Sequence, residues 1–236
     1  MREFDSISAM KLESVGIIVG LRPFEDRDAL ARIFTRDFGI LSGILKGAQV
    51  AKRKPLIGQI GAVSWNARLE SQLGAFHFES DKNLLAPLFA WSDALALANS
   101  ALALCAAFLP EREKYPALFL QTIKMFELLN QIPDKTASGV SGMTHYYLSW
   151  EIDMLREMGY AMDLTRCGGC GRCADLTHIS RRTGRAVCSV CAAPYAEHCF
   201  EMPVTLLVTR HFLERAAADL GMRSLPVERE LVMSEE

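Results

Sequence analysis

The stretch "GIIVGLRPFEDRDALARIFTRDFGILSGILKGA", residues 16–48, decides the fold of the N-terminal part of the chain. Its apolar runs are short, rich in β-branched residues and separated by turn residues, a pattern typical of β-strands. Gly39 stands where the turn between the second and third runs needs a residue that tolerates positive φ. With the later runs "GAVSWN" and "GAFHFE", the sequence predicts five short strands that form a small barrel of the OB type.

The chain after Leu84 has a pattern typical of helices. In "YPALFLQTIKMFELLNQI", "MTHYYLSWEIDMLREMGY" and "PVTLLVTRHFLERAAADLG", apolar residues recur at every third or fourth position. Gly159 and Gly221 stand where helices are expected to end, and Pro203 stands near the start of the last predicted helix. The stretch Asp134–Gly142 and the cysteine-rich segment predict loops.

Composition limits the class of protein. The 236 residues are 50% hydrophobic and 23% charged, which is enough to bury a substantial core in one large or two smaller domains. The longest uncharged run, residues 94–110, includes Asn99 and Ser100 and predicts a buried helix rather than a membrane span. The N-terminus "MREFDSISAMKLE" is charged and lacks the apolar segment of a secretory signal, so we expect a cytoplasmic protein with no membrane partner.

The net charge of −2 hides an uneven distribution. The segment between Arg32 and Arg68 has seven basic residues and one acid, whereas residues 81–164 and residues 192–236 each carry a net charge of −4. The basic residues of that segment are Arg32, Arg36, Lys46, Lys52, Arg53, Lys54 and Arg68. A polyanion is therefore expected to bind the predicted barrel or the arginines of the cysteine-rich segment.

Five of the seven cysteines lie within "CGGCGRCADLTHISRRTGRAVCSVC", residues 167–191. Two Cys-x2-Cys pairs separated by 17 residues fit the spacing of two zinc knuckles that share one ion. The predicted ligands are Cys167, Cys170, Cys188 and Cys191. Four thiolates complete a tetrahedral zinc site, so the spacing predicts a closed structural centre.

Gly171 decides between two overlapping choices for the first knuckle. It directly follows Cys170, where a glycine lets the backbone turn so that amide N–H groups point at the ligand sulfurs. This favours Cys167 with Cys170 over Cys170 with Cys173. Cys173 is left as a substitute ligand or a free thiol.

Other chemical interpretations of the cysteines are weaker. A redox dithiol is expected at a strand-to-helix junction of a βαβ unit, and the surrounding sequence is instead rich in glycine and arginine. A zinc deaminase needs an H-x-E motif, a downstream P-C-x-x-C and an open position for water. His77 and Glu79 do form an H-x-E, but Arg166 replaces the proline and a fourth thiolate fills the open position.

The sequence resembles the RecO family of bacterial recombination mediators over most of its length. The resemblance lies in the opening stretch of residues 16–48, in "WNARLESQLGAF", in "YYLSWEIDMLREMGYAMDLTRCGGCG", and in "ISRRTGRAVCSVCAAPY" and "RHFLERAAADLG", which occur in the family's order. It implies an α+β protein: an N-terminal OB-fold β-barrel, residues 1–80, followed by an α-helical domain, residues 81–236. The cysteine spacing predicts a four-cysteine zinc finger inserted in this second domain at about residues 165–195.

The resemblance also implies a function. Members of this family bind and anneal single- and double-stranded DNA, act with RecR, and bind the C-terminal tail of the single-stranded-DNA-binding protein. They help to load RecA onto gaps coated by that protein and are not enzymes, so we expect a nucleoid-associated protein. The residues expected to contact phosphate are Arg32, Arg36, Lys46, Lys52, Arg53 and Lys54.

Two alternatives from other classes remain open at this point. One is a zinc-dependent nucleobase-modifying enzyme that uses His77, Glu79 and the cysteines. The other is a zinc-stabilised adaptor that does not bind nucleic acid and whose basic loop is only solvated.

Overall fold

The computed structural model describes residues 10–50, 54–68, 73–132, 137–160 and 162–233. Its contacts group the chain into two compact units, Met1–Phe126 and Glu127–Glu236. The division between them falls inside a helix, well after the end of the last barrel strand. The domain boundary after residue 80 stays a prediction.

The first unit contains the predicted OB barrel, which confirms the fold class. Its strands are β1 (Met10–Phe24), β2 (Asp28–Thr35), β3 (Gly39–Leu45), β4 (Gln59–Ala67) and β5 (Gly74–Asn83). They close in the order β1-β2-β3-β5-β4, and β3 pairs with β5 in parallel while all the other pairs are antiparallel. Closure gives every strand two neighbours and leaves no open sheet edge.

Alternating side chains from all five strands fill the barrel. The innermost include Ile18, Ile33 and Trp65, whose exposed surface is 1% or less. The indole Nε1 of Trp65 donates a hydrogen bond to the carbonyl of Ser42 at 2.9 Å. A buried indole N–H needs such a partner, so the bond allows a large polar-edged ring to pack in the core.

The β2–β3 hairpin turns at the predicted glycine. Gly39 has φ +68°, and a Cβ at this position would lie 1.7 Å from the carbonyl oxygen of Glu113. Both the left-handed backbone and the close approach of a second segment therefore require glycine here.

Helices complete the first unit. A 3₁₀ helix, Ala86–Ala90, leads into α1 (Ser92–Phe108), and α2 (Pro116–Gln131) follows. The predicted buried helix is α1, along which the side chains of Ala94, Leu97 and Leu104 are among those enclosed. Phe119 of α2 packs edge-on against Phe34 of the barrel, with ring centroids 5.4 Å apart. Within the described residues, every helix is too short or too polar to span a lipid bilayer.

The second unit contains the remaining helices: α3 (Ala137–Glu157), α4 (Ser189–Ala192), α5 (Leu206–Asp219) and α6 (Val227–Met233). Gly159 and Gly221 follow α3 and α5 with φ of +86° and +70°, as expected of residues that end helices. Two predictions were wrong. Residues 137–142, predicted as part of a loop, are helical, and α6 follows the helix that was expected to be the last.

The predicted loop that carries the cysteines is also partly regular. It contains β6 (Leu176–Ser180), β7 (Ala186–Cys188) and β8 (Cys199–Glu201), which form a small antiparallel sheet in the order β7-β6-β8. Helix α4 and a 3₁₀ helix, Ala193–His198, lie between β7 and β8. Pro203 stands outside the next helix, because α5 begins at Leu206 with Thr205 as its N-cap.

Candidate metal centre and nucleic-acid surface

The four predicted cysteines come together in the second unit. Their sulfur atoms all lie within 4.8 Å of one another, and those of Cys170 and Cys188 are 3.8 Å apart. The first pair lies in the turn "CGGC", and the second pair lies at the end of β7 and in α4. The small sheet brings the pairs together because β6 and β7 fold back on each other next to that turn.

The spacing of the sulfurs fits a tetrahedral ion. Two thiolates bound to one zinc ion at about 2.3 Å in a tetrahedron are about 3.8 Å apart. The distance between Cys170 and Cys188 has this value, 3.8 Å. The cluster can therefore hold a metal ion with only small adjustments of its side chains.

Backbone amides stabilise negative charge on the most enclosed sulfur. The amides of Gly169 and Cys188 each donate to the Cys167 sulfur at 3.4 Å. Such hydrogen bonds, the one from Cys188 foremost, lower the pKa of Cys167 to about 6. Hydrogen bonding to the neighbouring thiols, first Cys188, raises the pKa of Cys191 to about 12. Four sulfurs this close do not all ionise at neutral pH unless a cation lies among them.

The turn between the first two cysteines depends on glycine. Gly171 has φ +76°, the left-handed conformation predicted for it. The amides that donate to the Cys167 sulfur belong to Gly169 and Cys188 and not to Gly171. A Cβ on Gly169 would lie 3.2 Å from the Cys191 sulfur, so this position also has little room. Cys173 is exposed and is not a member of the four-sulfur group.

The predicted phosphate contacts lie in different parts of the barrel. Arg32 is half-buried on β2, where it pairs with Gly20 of β1, and its side-chain carbons lie over that glycine. Its Nε is buried and has no hydrogen-bond partner among the described residues. Burial lowers the pKa of Arg32, an effect that Glu111 partly opposes and Arg22 adds to.

Arg36 is exposed at the tip of the β2–β3 hairpin, but its charge is partly neutralised. Its Nε and a terminal nitrogen donate to the two carboxylate oxygens of Asp37 at 3.1 and 3.2 Å. Asp37 also accepts a 2.7 Å hydrogen bond from Ser14. Hydrogen bonds from Arg36 and then Ser14 hold the pKa of Asp37 below its usual value.

Lys46 lies at the other end of the same hairpin. Lys46 is exposed after β3, so the length of the strands separates it from Arg36 by about 20 Å. Lys54 is exposed too, while Lys52 and Arg53 lie outside the described residues. Basic residues that are neighbours in the sequence are therefore distributed along the barrel by the fold.

The net charge counted between Arg32 and Arg68 also leaves out the acidic residues that lie next to the basic loop after β3. The amide of Gly47 donates to Asp28 at 2.7 Å, and the amide of Gln49 donates to the carbonyl of Arg27 at 2.9 Å. These bonds join the basic loop to the turn "EDRD", which carries three acids and one base. The positive potential at this end of the barrel is weaker than the count between Arg32 and Arg68 implies.

Arg22 is a basic residue that sequence reasoning did not select. It is exposed on β1, two residues after Gly20, and is therefore on the same face as Arg32. The effect of its charge on the pKa of Arg32 shows that the two guanidinium groups are close. Strand alternation together with the β1–β2 register would have identified it.

His77 and Glu79 do not form part of the metal centre. They lie on β5 with both side chains exposed and are 3.0 Å apart. The group of donors that fits a metal ion in the described part of the chain contains cysteines and no histidine.

Both parts of the chain match one protein family. Residues 10–79 match Recombination protein O N terminal, and residues 92–230 match Recombination protein O C terminal. The chain belongs to the RecO family. The resemblance seen in the sequence is therefore confirmed, and with it the involvement in DNA repair and recombination that the family name states.

Relatives named DNA repair protein RecO are similar over nearly their whole length. The protein of Jannaschia sp. (strain CCS1) is 33% identical over 91% of this chain and 91% of its own. That of Gluconacetobacter diazotrophicus is 32% identical over 93% of this chain and 92% of its own. That of Cereibacter sphaeroides (strain ATCC 17023) is 32% identical over 95% of this chain and 98% of its own.

Proposed function

We propose that this RecO family protein is a recombination mediator that binds and anneals DNA and is not an enzyme. The observation that carries the proposal is a closed OB barrel, in a chain of this family, with arginines on the outer face of β1 and β2. OB barrels bind oligonucleotides with the face around strands two and three and with the adjoining loops. The four-thiolate cluster supports a non-catalytic role, because a closed site has no position for a substrate or water.

Arg32 and Arg22 are the proposed centre of the DNA surface. An arginine that is half-buried beside another cation, with an unpaired Nε, loses hydration, and the charge of Glu111 offsets only part of that cost. A DNA phosphate would supply both the missing acceptor and the opposite charge, and the planar guanidinium suits it. Binding of phosphate at this position therefore relieves a cost that the free protein carries.

The other basic residues are proposed to extend this surface along the hairpin. Lys46 would contact phosphates at one end, and Lys52, Arg53 and Lys54, which follow it in the sequence, are proposed to add phosphate contacts. Arg36 would contribute less at the other end, because Asp37 already occupies much of its hydrogen-bonding capacity. A strand that lies along β2 would connect the two ends.

The proposed partners follow from family membership. We infer that the protein acts in the bacterial cytoplasm, at the nucleoid, with RecR. We also infer that it binds the C-terminal tail of the single-stranded-DNA-binding protein and so helps RecA to load onto gaps which that protein coats. The acidic character of residues 81–164 supports a division of roles, since DNA would be repelled from them and held by the barrel.

The metal is proposed to be zinc, held by Cys167, Cys170, Cys188 and Cys191 in a structural role. A tetrahedral set of four thiolates suits zinc or an iron–sulfur centre. The pair spacing and the 3.8 Å sulfur separation favour a single zinc ion. Elemental analysis of the purified protein distinguishes zinc from iron.

Binding to a labelled single strand over a series of salt concentrations tests the proposal. For single strands, log K falls with log salt by about 0.7 for each phosphate neutralised. A Lys52→Ala, Arg53→Ala, Lys54→Ala variant should reduce this slope, and so should Arg32→Ala. A matched control removes three exposed charges from helical and C-terminal segments: Lys124→Ala, Arg156→Ala and Arg223→Ala.

The control should keep the wild-type slope, because it leaves the barrel unchanged. Absence of DNA binding even at low salt would support the adaptor instead. Turnover of a nucleobase that is lost in Glu79→Ala would support the enzyme. Equal losses in the barrel variants and the control would contradict the barrel as the DNA surface.

A further inference from the structure

A cavity of about 820 Å³ lies next to the metal cluster in the second unit. It is lined by the turn between β6 and β7, by the 3₁₀ helix after α4 and by one face of α5. Its volume is within the range of small-molecule sites, about 300–1,000 Å³. The proposed role of the barrel does not use this cavity.

Three arginines line the cavity. Arg181, Arg182 and Arg215 line it together with His211, and the lining contains no aspartate or glutamate. Within the described part of the chain, no carboxylate forms an ion pair with any of the three arginines. Three guanidinium groups without counter-charges, gathered from segments about 30 residues apart, favour an anionic ligand.

Contacts within the second unit hold the side chains of Arg215 and Arg181 in place, while that of Arg182 is exposed. Arg215 donates to the carbonyls of Arg181 and Arg182 at 3.1 and 2.8 Å, and a ring nitrogen of His211 lies 3.1 Å from the Arg181 carbonyl. The Arg181 guanidinium stacks on the ring of Phe200 at 4.5 Å. Stacking uses the face of the guanidinium and leaves its edge N–H groups available, so these donors are ordered before any ligand binds.

Two further side chains narrow the ligand class. Tyr195 lines the cavity with 63% of its surface exposed, which leaves its ring free to stack on a planar group. Cys199 also lines the cavity, and burial raises the pKa of its thiol, so it contributes no negative charge. The site thus combines an aromatic face with a cluster of phosphate-binding donors.

We propose that this cavity is a nucleotide site in which Arg181, Arg182 and Arg215 bind a phosphate and Tyr195 stacks on the base. The nucleotide is either free or the phosphorylated end of a DNA strand, since both present the same groups. An acidic peptide fits less well, because its carboxylates do not need the exposed aromatic face that Tyr195 offers. The site does not depend on the proposed DNA surface of the barrel.

Calorimetric titration of the full chain tests the site, with thymidine monophosphate as the probe. Thymidine and inorganic phosphate report the two halves of the ligand separately, and a polyglutamate peptide reports general anion binding. Arg182→Ala and Arg181→Ala should each weaken the nucleotide about tenfold or more, as expected when a charge-assisted hydrogen bond is lost. Tyr195→Ala should weaken the nucleotide but not inorganic phosphate.

Matched controls separate this site from overall charge and from the barrel. Arg172→Ala removes an exposed charge from the same finger outside the cavity and should bind the nucleotide like the wild type. The Lys52, Arg53 and Lys54 triple variant should also keep nucleotide binding even if it loses DNA. Metal content measured on each variant shows that the finger is intact.

Binding of oligonucleotides with and without a 5′ phosphate distinguishes a DNA strand end from a free nucleotide as the ligand. Tighter binding of the phosphorylated strand, lost in Arg182→Ala, identifies a strand end, and binding of the monophosphate alone identifies a free nucleotide. The proposal is overturned if thymidine or inorganic phosphate binds as well as the monophosphate, or if polyglutamate binds better. No binding at millimolar nucleotide, or an equal loss in Arg172→Ala, overturns it as well.

Discussion

Arg229 and Glu151 form an ion pair in which neither side chain is exposed to solvent. One terminal nitrogen of Arg229 donates to Glu151 at 3.2 Å and to the carbonyl of Leu206 at 3.0 Å. Burial is the largest single influence and would lower the pKa of Arg229, but the charge of Glu151, the hydrogen bond to it, and the charges of Tyr147 and Glu230 together raise that pKa. Arg229 therefore stays charged, and its hydrogen bonds join α6 to α3 and α5.

Breaking this pair should be costly. Arg229→Ala leaves a buried carboxylate without a partner, and we expect a loss of about 3–5 kcal/mol in the free energy of unfolding. Urea denaturation followed by circular dichroism measures this loss. Glu214→Ala, which removes the exposed partner of Arg210, is the control and should cost at most about 1 kcal/mol. Similar losses in both variants would contradict the role of the buried pair.

Gly39 and Gly47 provide a matched test of the hairpin. Both have φ +68°, but a Cβ on Gly39 would meet the Glu113 carbonyl, whereas one on Gly47 would have nothing within 4 Å. Gly47→Ala should cost only the left-handed backbone strain, about 1–2 kcal/mol. Gly39→Ala should cost clearly more and lower the melting temperature further. Equal costs would show that the contact with Glu113 is unimportant.

The barrel was predictable because its strands follow local rules. Alternation in β2 and β3 and the glycine between them fix the hairpin without help from distant residues. Strand order was not derivable from periodicity alone, since the β3–β5 pairing joins segments about 30 residues apart. The OB order was expected only from strand number and resemblance.

The second unit was harder to predict because its pattern depends on tertiary contacts. In α6, Val227 and Leu231 are exposed while Arg229 is buried, the reverse of the usual apolar stripe. Strand β7 has only three residues, too few to show alternation. The cysteine spacing, in contrast, predicted which four sulfurs come together, because the ligands of one ion must converge whatever lies between them.

The predicted phosphate contacts likewise depend on tertiary contacts that the sequence does not show. Residue type and charge selected Arg36, but its pairing with Asp37 and the bond from Ser14 depend on the folded hairpin. Arg22 was missed because its position beside Arg32 follows from the register of β1 with β2. Charge counts along a sequence identify a region, and the fold decides which charges are available.

Asp37→Asn tests whether the tip of the hairpin contacts DNA. The change removes a negative charge and frees Arg36, while the amide oxygen can still accept from Ser14. DNA affinity should rise, and the salt slope should steepen by up to about 0.7 if Arg36 then binds a phosphate. An unchanged slope would place the tip outside the DNA surface. Fluorescence anisotropy with a labelled strand measures both quantities.

Changes at single cysteines should separate ligands from bystanders. Cys188→Ser and Cys191→Ser should lose the metal and loosen the small sheet, because metal binding contributes about 10–16 kcal/mol in comparable sites. Cys173→Ser should keep about one zinc per chain, since the proposed four-thiolate site does not need it. Metal analysis and hydrogen exchange of residues 176–188 measure both effects. Metal loss in Cys173→Ser would contradict the proposed ligand set.

Photocrosslinking of a single strand that carries 5-iodouridine, with the crosslinked peptides mapped by mass spectrometry, tests the central claim most directly. The proposed DNA surface predicts crosslinks within residues 20–54, around Arg22, Arg32 and the basic loop, and fewer of them in Arg32→Ala. Crosslinks near Tyr195 are compatible with the separate nucleotide site. Crosslinks confined to residues 127–233, with none in the barrel, would contradict the barrel as the DNA-binding surface.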